Sequence, residues 1–325
     1  MLTSRIFTCI LFLCTVFITY VSSSIGDRSS VYQKCLLACK NKNCTKRLLV
    51  FTEEAAKNQA VGPKLLGWGC EDECKYDCMW MTVDWFETQN VVPKFHGKWP
   101  FYRLFGIQEP ASALFSIFNL LSHIYMYKKL KVLFAKYETP FQTSWRMFAM
   151  VCIHAWIWST IFHTRDTPFT EFMDYTCALS MVMGFYATAV VRVLYPLWHP
   201  YAALFVLAPA VLYYMDHTRY LWSGSFDYDV NMTLNIGIGA YNDTHTQWRS
   251  VQVTDGHYVW RITLFTMLTG ASLLLEIFDF PPIYGVLDAH ALWHLSTAPL
   301  PLLFYGFLIE DLNFIMSSTA KFKDI

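Results

Sequence analysis

The sequence predicts an all-α integral membrane protein, a seven-transmembrane helix bundle that follows an N-terminal disulfide-rich luminal segment. Hydrophobic residues make up 54% of the 325 residues, and apolar runs long enough to cross a bilayer recur along the chain. Six of the ten cysteines cluster before the first of these runs. Lys+Arg and Asp+Glu both number 25, so no basic surplus indicates nucleic acid as a partner.

The first 23 residues have the layout of a secretory signal peptide. Arg5 precedes an apolar run from Ile6 to Val21, and serines at 22–24 offer a cleavage site. A retained first membrane helix is the alternative, although the run is short for a span. We expect a signal peptide over 1–23, a luminal cysteine-rich domain over 24–95 and a seven-span domain over 96–325.

The cysteines of the luminal segment recur at a spacing that suits helices. Within two groups they lie four residues apart, as Cys35 and Cys39 and then as Cys70, Cys74 and Cys78. On helices each group would share one face, so we expect two helices joined by disulfides in an oxidising compartment. The spacing does not choose among the possible pairings. A zinc cluster is the alternative, although the usual CxxC spacing is absent.

Six apolar runs of spanning length follow, at about 110–127, 147–164, 169–193, 200–216, 259–280 and 284–309. A seventh run, 226–248, is interrupted by aspartate and asparagine. Lysines crowd the first connection at 128–136, which the positive-inside rule places in the cytosol. The N-terminus is then luminal, and the C-terminus is cytosolic if all seven runs cross.

Histidine is rare within membrane spans, so its presence there suggests a functional site. His290 and His294 lie four residues apart at the start of the last run, and a helix would present both imidazoles on one face. His163 ends the second run, Ser159 lies one turn before it, and Asp174 lies a turn or so into the next run. The alternatives are histidines satisfied within their helix, a serine bonded to its own backbone and an interfacial carboxylate.

The five side chains fall at luminal helix ends only if 226–248 crosses the membrane. His163, His290 and His294 can then bind one divalent metal and leave a fourth position open for water, as in catalytic zinc sites. The sequons at Asn231 and Asn242 would be largely unavailable for glycosylation. By contrast, the sequon Asn43-Cys44-Thr45 agrees with a glycosylated luminal segment.

Several segments together resemble a known family, the GPI-remodelling lipases called post-GPI-attachment-to-proteins factor 3. The resemblance covers nearly the whole chain. The segments are 97–101, 108–112, 115–119, 159–163, 275–282 and 288–294. The wider superfamily includes alkaline ceramidases and adiponectin-type receptors, and its pattern of SxxxH, an aspartate and a late HxxxH maps onto Ser159, His163, Asp174, His290 and His294. The polar fifth run, 226–248, departs from the family.

The resemblance implies a phospholipase A2-type hydrolase in the Golgi membrane. Its substrate would be the lipid moiety of GPI-anchored proteins, from which it removes the unsaturated sn-2 acyl chain amid other membrane lipids.

In the expected mechanism Zn²⁺ lowers the pKa of water, Asp174 accepts and returns the proton, and Ser159 donates a hydrogen bond to the oxyanion. Glu276, Asp279 and Asp288 receive only supporting or headgroup roles.

Three other functions fit parts of the pattern. A metal-free triad of Ser159, His163 and Asp174 would leave the HxxxH pair unexplained, and the GxSxG motif is absent. A ceramidase-type amide hydrolase would share the same site. A lipid-sensing receptor or GPI-handling scaffold would keep the metal for structure alone.

Overall fold

The computed structural model describes residues 24–47, 49–88, 91–138, 141–194, 200–223, 227, 230–233, 235, 237–238 and 257–323. Within these ranges the chain forms helices and turns, and strand pairing is limited to isolated bridges. The chain divides into two compact units, Met1–Pro100 and Phe101–Ile325. The predicted signal peptide lies outside the described residues.

The first unit is built on two helices joined by disulfides. Its helices are α1 (Ile25–Arg28), α2 (Ser30–Asn43), α3 (Glu53–Asn58), α4 (Val61–Leu65) and α5 (Cys70–Glu87). The bonds Cys35–Cys78, Cys39–Cys74 and Cys44–Cys70 join α2 and the residue after it to α5. The prediction of two disulfide-linked helices is confirmed, and the alternative of a zinc cluster is wrong because all six thiols are oxidised.

The second unit consists mainly of long helices. They are α6 (Pro110–Lys136), α7 (Gln142–Thr164), α8 (Pro168–Leu194), α9 (Pro200–Trp222), α10 (Val259–Phe278), α11 (Ala289–Thr297) and α12 (Leu300–Lys323). Four segments among the described residues are long and apolar enough to span a membrane: Gln142–Thr164, Pro168–Arg192, Val259–Phe278 and Ala289–Ser317. The chain is therefore a helical membrane protein. The count of seven spans stays a prediction, because most of 226–248 lies outside the described residues.

An aromatic core holds the second unit together at a distance from the histidines. Trp145, Phe148 and Phe304 are buried, and their ring centroids lie 5.7–6.2 Å apart. Such tilted and edge-to-face pairs bury large apolar areas in favourable ring geometry. The core ties the N-terminal part of α7 to α12.

A buried ion pair links α8 to α12. Arg192 donates two hydrogen bonds to Asp311, both 2.8 Å long, and the Tyr258 hydroxyl donates a third at 3.1 Å. This bidentate geometry is the strong form of an arginine–carboxylate contact. Arg192 lies near the end of α8, whereas His163 ends the preceding helix.

Candidate metal centre

Three histidine side chains from two distant parts of the chain meet in the second unit. The Nε2 atom of His294 lies 3.0 Å from Nε2 of His163 and 3.0 Å from Nε2 of His290. The remaining pair, His163 and His290, is separated by 3.4 Å between Nε2 atoms. His163 and His294 are each 2% exposed. The three residues form a group whose nitrogen atoms could hold one metal ion.

Local helix geometry places each of these side chains. His163 lies in the last turn of α7, which ends at Thr164. Asp288 caps the start of α11, since its carboxylate accepts a hydrogen bond of 2.8 Å from the Ala291 N–H. His290 and His294 follow one turn apart on one face of that helix. The structure thus brings the three predicted ligands together, and their binding of a metal stays a prediction.

Two carboxylates orient two of the imidazoles. Glu109 Oε2 lies 2.7 Å from His163 Nδ1, and Glu276 Oε1 lies 2.6 Å from His290 Nδ1. An ionised carboxylate can only accept hydrogen bonds, so each Nδ1 carries the proton and donates it. This is the carboxylate–histidine arrangement that accompanies most metal-bound imidazoles.

Fixing the proton on Nδ1 leaves the Nε2 atoms of His163 and His290 as bare lone pairs. Those lone pairs point into a space that His294 Nε2 also faces, at separations of 3.0–3.4 Å. Nitrogen ligands about 2.0–2.1 Å from a tetrahedral zinc ion are themselves about 3.3–3.4 Å apart. The separation of 3.4 Å equals this value and the two of 3.0 Å are shorter, so the three rings need only a small outward shift to hold a zinc ion.

The charges of the site favour a divalent cation. The Glu109 side chain is 7% exposed and the Glu276 side chain 10%. Buried carboxylates are costly unless positive charge lies near them. A divalent ion among three neutral imidazoles would place two positive charges close to both carboxylates.

The third imidazole is held differently from the other two. Among the described residues, no hydrogen-bond partner lies near His294 Nδ1. Its backbone carbonyl instead accepts a hydrogen bond of 2.7 Å from the Asn119 amide of α6. The Trp156 ring also packs edge-on against the His294 ring, with centroids 5.5 Å apart. Packing and a backbone contact therefore position His294.

Ser159 lies on the buried face of α7, one turn before His163. Its hydroxyl oxygen is 3.1 Å from that of Ser116, a fully buried residue of α6. Either hydroxyl can be the donor in this pair. Ser159 therefore belongs to a small polar contact between α6 and α7.

Asp174 lies in the second turn of α8, which follows α7 after three connecting residues. Its side chain is half-buried. Its predicted catalytic role stays a prediction, as does that of Ser159. Asp288 is the helix cap described above, and Asp279 ends α10 with a left-handed φ of 34°.

Sequence reasoning missed the role of Glu109. The residue appeared only within a family-like segment, although Glu109-Pro110 directly precedes an apolar helix. The signal that could have identified Glu109 is a carboxylate placed before proline at the start of an apolar helix. Asn119 and Ser116, which contact His294 and Ser159, were also not singled out individually.

Comparison with known proteins identifies the family of this chain. The model of the Per1-like family matches residues 60–312. A protein of Cricetulus griseus named "GPI-specific phospholipase A2-like PGAP3" is 40% identical over 319 residues, which cover 96% of this chain and 97% of the relative. The Homo sapiens protein of the same name is 39% identical, with 93% and 94% covered.

The similarity extends to insects. A Drosophila melanogaster protein named "Post-GPI attachment to proteins factor 3" is 39% identical and is covered to 94%, as is this chain. No solved structure matches. The family model and the near-complete relatives together establish that this chain belongs to the Per1-like family.

Proposed function

We propose that this protein is a zinc-dependent lipid hydrolase that removes the sn-2 acyl chain from GPI-anchored proteins. One observation carries the proposal: three imidazole Nε2 atoms converge within 3.4 Å while carboxylates hold the Nδ1 protons of two of them. The substrate class comes from the printed names of the relatives, which describe a GPI-specific phospholipase A2-like protein.

Metal binding and proton transfer are assigned to different residues of the site. A zinc ion held by His163, His290 and His294 would activate water and polarise the ester carbonyl. We assign Asp174 to accept the proton of the attacking water and to return it to the departing glycerol oxygen. Water then adds to the acyl carbon, the ester bond breaks, and a fatty acid and a lyso-lipid result.

Ser159 supplies a hydrogen-bond donor on the same helix face as His163. In the free protein its hydroxyl pairs with Ser116. We assign Ser159 to donate to the oxygen that becomes negative during attack, while Ser116 keeps its hydroxyl oriented.

The helix order supports a luminal site and seven spans. His163 ends α7 and His290 begins α11, so their contact puts these two helix ends on the same membrane face. Short connections make α7, α8 and α9 antiparallel neighbours, so α9 would end on that face too, whereas α10 must begin on the opposite face to reach α11. We therefore propose one further crossing between 223 and 258, the region of the predicted fifth span.

This topology gives the protein a luminal N-terminus and a cytosolic C-terminus. The disulfides of the first unit support a lumen on the N-terminal side, since such bonds persist in oxidising compartments. We propose the Golgi membrane as the location. The headgroup and protein of the substrate would then lie in the lumen, with the ester at the membrane boundary next to the histidines.

Metal analysis combined with lipid analysis tests the proposal. Purified protein is expected to hold one zinc per chain, and cells lacking the protein are expected to keep the unsaturated acyl chain on their GPI anchors. His294→Ala should abolish both zinc binding and remodelling. His154→Ala is the matched control, because His154 lies on α7 but contacts Trp158 rather than the site.

The competing functions predict different results. A His294→Ala variant that folds and traffics normally and still supports remodelling would favour a scaffold. Inhibition by serine reagents without sensitivity to chelators would favour the metal-free triad. Release of fatty acid from ceramide but not from GPI would favour the amide hydrolase.

A further inference from the structure

Two tight turns lie side by side next to the candidate metal centre. The first, Leu104–Ile107, is closed by reciprocal backbone hydrogen bonds of 3.2 and 2.9 Å between its end residues. The second, Ile283–Leu287, is closed in the same way at 2.9 and 3.2 Å. The Tyr102 N–H donates to the Gly285 carbonyl at 2.8 Å and so joins the two turns.

The first four residues of each turn share one sequence pattern: an aliphatic residue, an aromatic residue, glycine and an aliphatic residue. The aromatic residues, Phe105 and Tyr284, have φ angles of 53° and 55°. Asparagine, aspartate and glycine are the usual residues at such left-handed turn positions, because a bulky side chain there is strained. Both turns therefore keep an aromatic residue at a position where the backbone disfavours it.

These aromatic side chains point away from the protein. Phe105 is 82% exposed and Tyr284 is 92% exposed. Packing within the chain therefore does little to offset the strain of the backbone. The combination of a strained backbone and an exposed ring is found in both turns. Strain and apolar exposure together indicate that the two rings contact something outside the chain.

The position of the turns identifies that contact. The Gln108 N–H donates to the Thr164 carbonyl at 3.0 Å, which puts the first turn at the end of the candidate span Gln142–Thr164. The second turn lies in the connection between the candidate spans Val259–Phe278 and Ala289–Ser317. The ends of spans lie at the boundary between headgroups and hydrocarbon. Aromatic side chains concentrate at this boundary, and the ester bonds of glycerolipids also lie there.

The turns are also close to the metal centre along the chain. Phe105 precedes Glu109 by four residues, so their Cα atoms are at most about 14 Å apart. Tyr284 precedes His290 by six residues, which limits that distance to about 22 Å. Because the rings and the histidines belong to one compact unit, the depth of the two rings in the membrane is coupled to the depth of the histidines.

We propose that Phe105 and Tyr284 insert into the interfacial layer of the bilayer and hold the histidine end of the helix bundle at the level of lipid ester bonds. The partner is phospholipid of the surrounding leaflet. The role in catalysis rests on the hydrolase function proposed above, whereas the lipid contact does not.

Photo-crosslinking tests the contact directly. The probe is p-benzoylphenylalanine at position 105 or 284, in full-length protein reconstituted into nanodiscs of alkyne-tagged phosphatidylcholine. Both positions should label with lipid, as should a positive control at Met267 in the span Val259–Phe278, which is 67% exposed. Leu65 of the first unit, 81% exposed, is the negative control. Labelling of 105 and 284 no stronger than at Leu65, or crosslinks to protein instead of lipid, would overturn the proposal.

Asparagine substitutions test the functional consequence without disturbing the turns. Phe105→Asn combined with Tyr284→Asn should leave thermal stability unchanged or higher, because asparagine tolerates the left-handed conformation. Hydrolysis of a bilayer-embedded ester should fall about tenfold, since the two rings that insert into the bilayer are lost. Zinc content and hydrolysis of a soluble short-chain ester should not change. Equal loss on both esters, or no loss on either, would contradict the proposal, and an inactive wild-type protein would instead refute the hydrolase function.

Discussion

Glu109 and His163 are joined by two hydrogen bonds although 54 residues separate them. The Glu109 N–H donates to the His163 carbonyl at 3.0 Å, and the Glu109 carboxylate accepts from His163 Nδ1 at 2.7 Å. The start of α6 therefore fixes both the backbone and the ring of the histidine that ends α7.

Glu109→Gln should weaken zinc binding by about 10–100-fold, the usual cost of removing a carboxylate behind a metal-bound imidazole. The amide keeps the size of the side chain but removes the charge that holds the Nδ1 proton. Competition with a chromogenic chelator measures the affinity. Glu310→Gln is the control, since Glu310 pairs with Arg261 away from the site, and an affinity as low in this control as in Glu109→Gln would contradict the assignment.

Glu276→Gln should also weaken zinc binding, but by less than Glu109→Gln. The His290 side chain is 33% exposed, whereas the His163 side chain is 2% exposed. Water can therefore replace part of the lost contact at His290 but not at His163. The same competition assay ranks the two variants, and the reverse order would show that exposure does not govern the effect.

Asn119→Leu should lower the free energy of unfolding by about 1 kcal/mol, the usual net contribution of one intramolecular hydrogen bond, because Thr297 Oγ1 still donates to the His294 carbonyl at 3.0 Å. Asn119 is buried, and its amide donates to the His294 carbonyl at 2.7 Å. Thermal unfolding in detergent measures the change, and zinc affinity should fall with it. Leu121→Ala removes an exposed side chain from the same helix and should have a smaller effect on zinc affinity.

Arg192→Met should destabilise the protein by about 3–5 kcal/mol, because it leaves the buried Asp311 carboxylate without its partner. The double variant Arg192→Met with Asp311→Leu should recover most of that loss. Thermal unfolding of the single and double variants forms the test. A double variant as unstable as the single one would mean that the ion pair itself, rather than the uncompensated charge, dominates.

The sequon at Asn231 should carry no glycan. Asn231 is buried, and its side-chain oxygen lies 2.9 Å from His217 Nε2. The wild type and Asn231→Gln should therefore have the same gel mobility, both before and after endoglycosidase treatment. Ala60→Thr provides the positive control, because it completes a sequon that begins at the exposed Asn58 of the first unit. A glycan at Asn231 would contradict the buried position.

The sequence predicted the parts of the site that depend on local periodicity. The four-residue spacing of His290 and His294 places both rings on one helix face whatever surrounds the helix. Membrane topology then brought His163 to the same end of the bundle. The tertiary partners were not predictable in this way, because the pairings of Glu109 with His163 and of Asn119 with His294 depend on how α6 packs against α7 and α11.

In the disulfide-linked unit, too, local spacing was predictable and tertiary pairing was not. Cysteine spacing predicted two helices, but their antiparallel packing decided which thiols pair. The aromatic turns were beyond sequence reasoning altogether, since nothing local in the sequence around Leu104–Ile107 indicates that the Tyr102 N–H will donate to the Gly285 carbonyl.

The Cys44–Cys70 bond sets the register of the two helices in the first unit. Cys35 and Cys39 are spaced four residues apart, as are Cys70, Cys74 and Cys78, so sliding α5 along α2 by one turn would match Cys35 with Cys74 and Cys39 with Cys70. Cys44 lies five residues beyond Cys39 and outside α2. In the shifted alignment Cys44 and Cys78 would therefore remain as unpaired thiols. Complete oxidation is thus reached in only one of the two alignments.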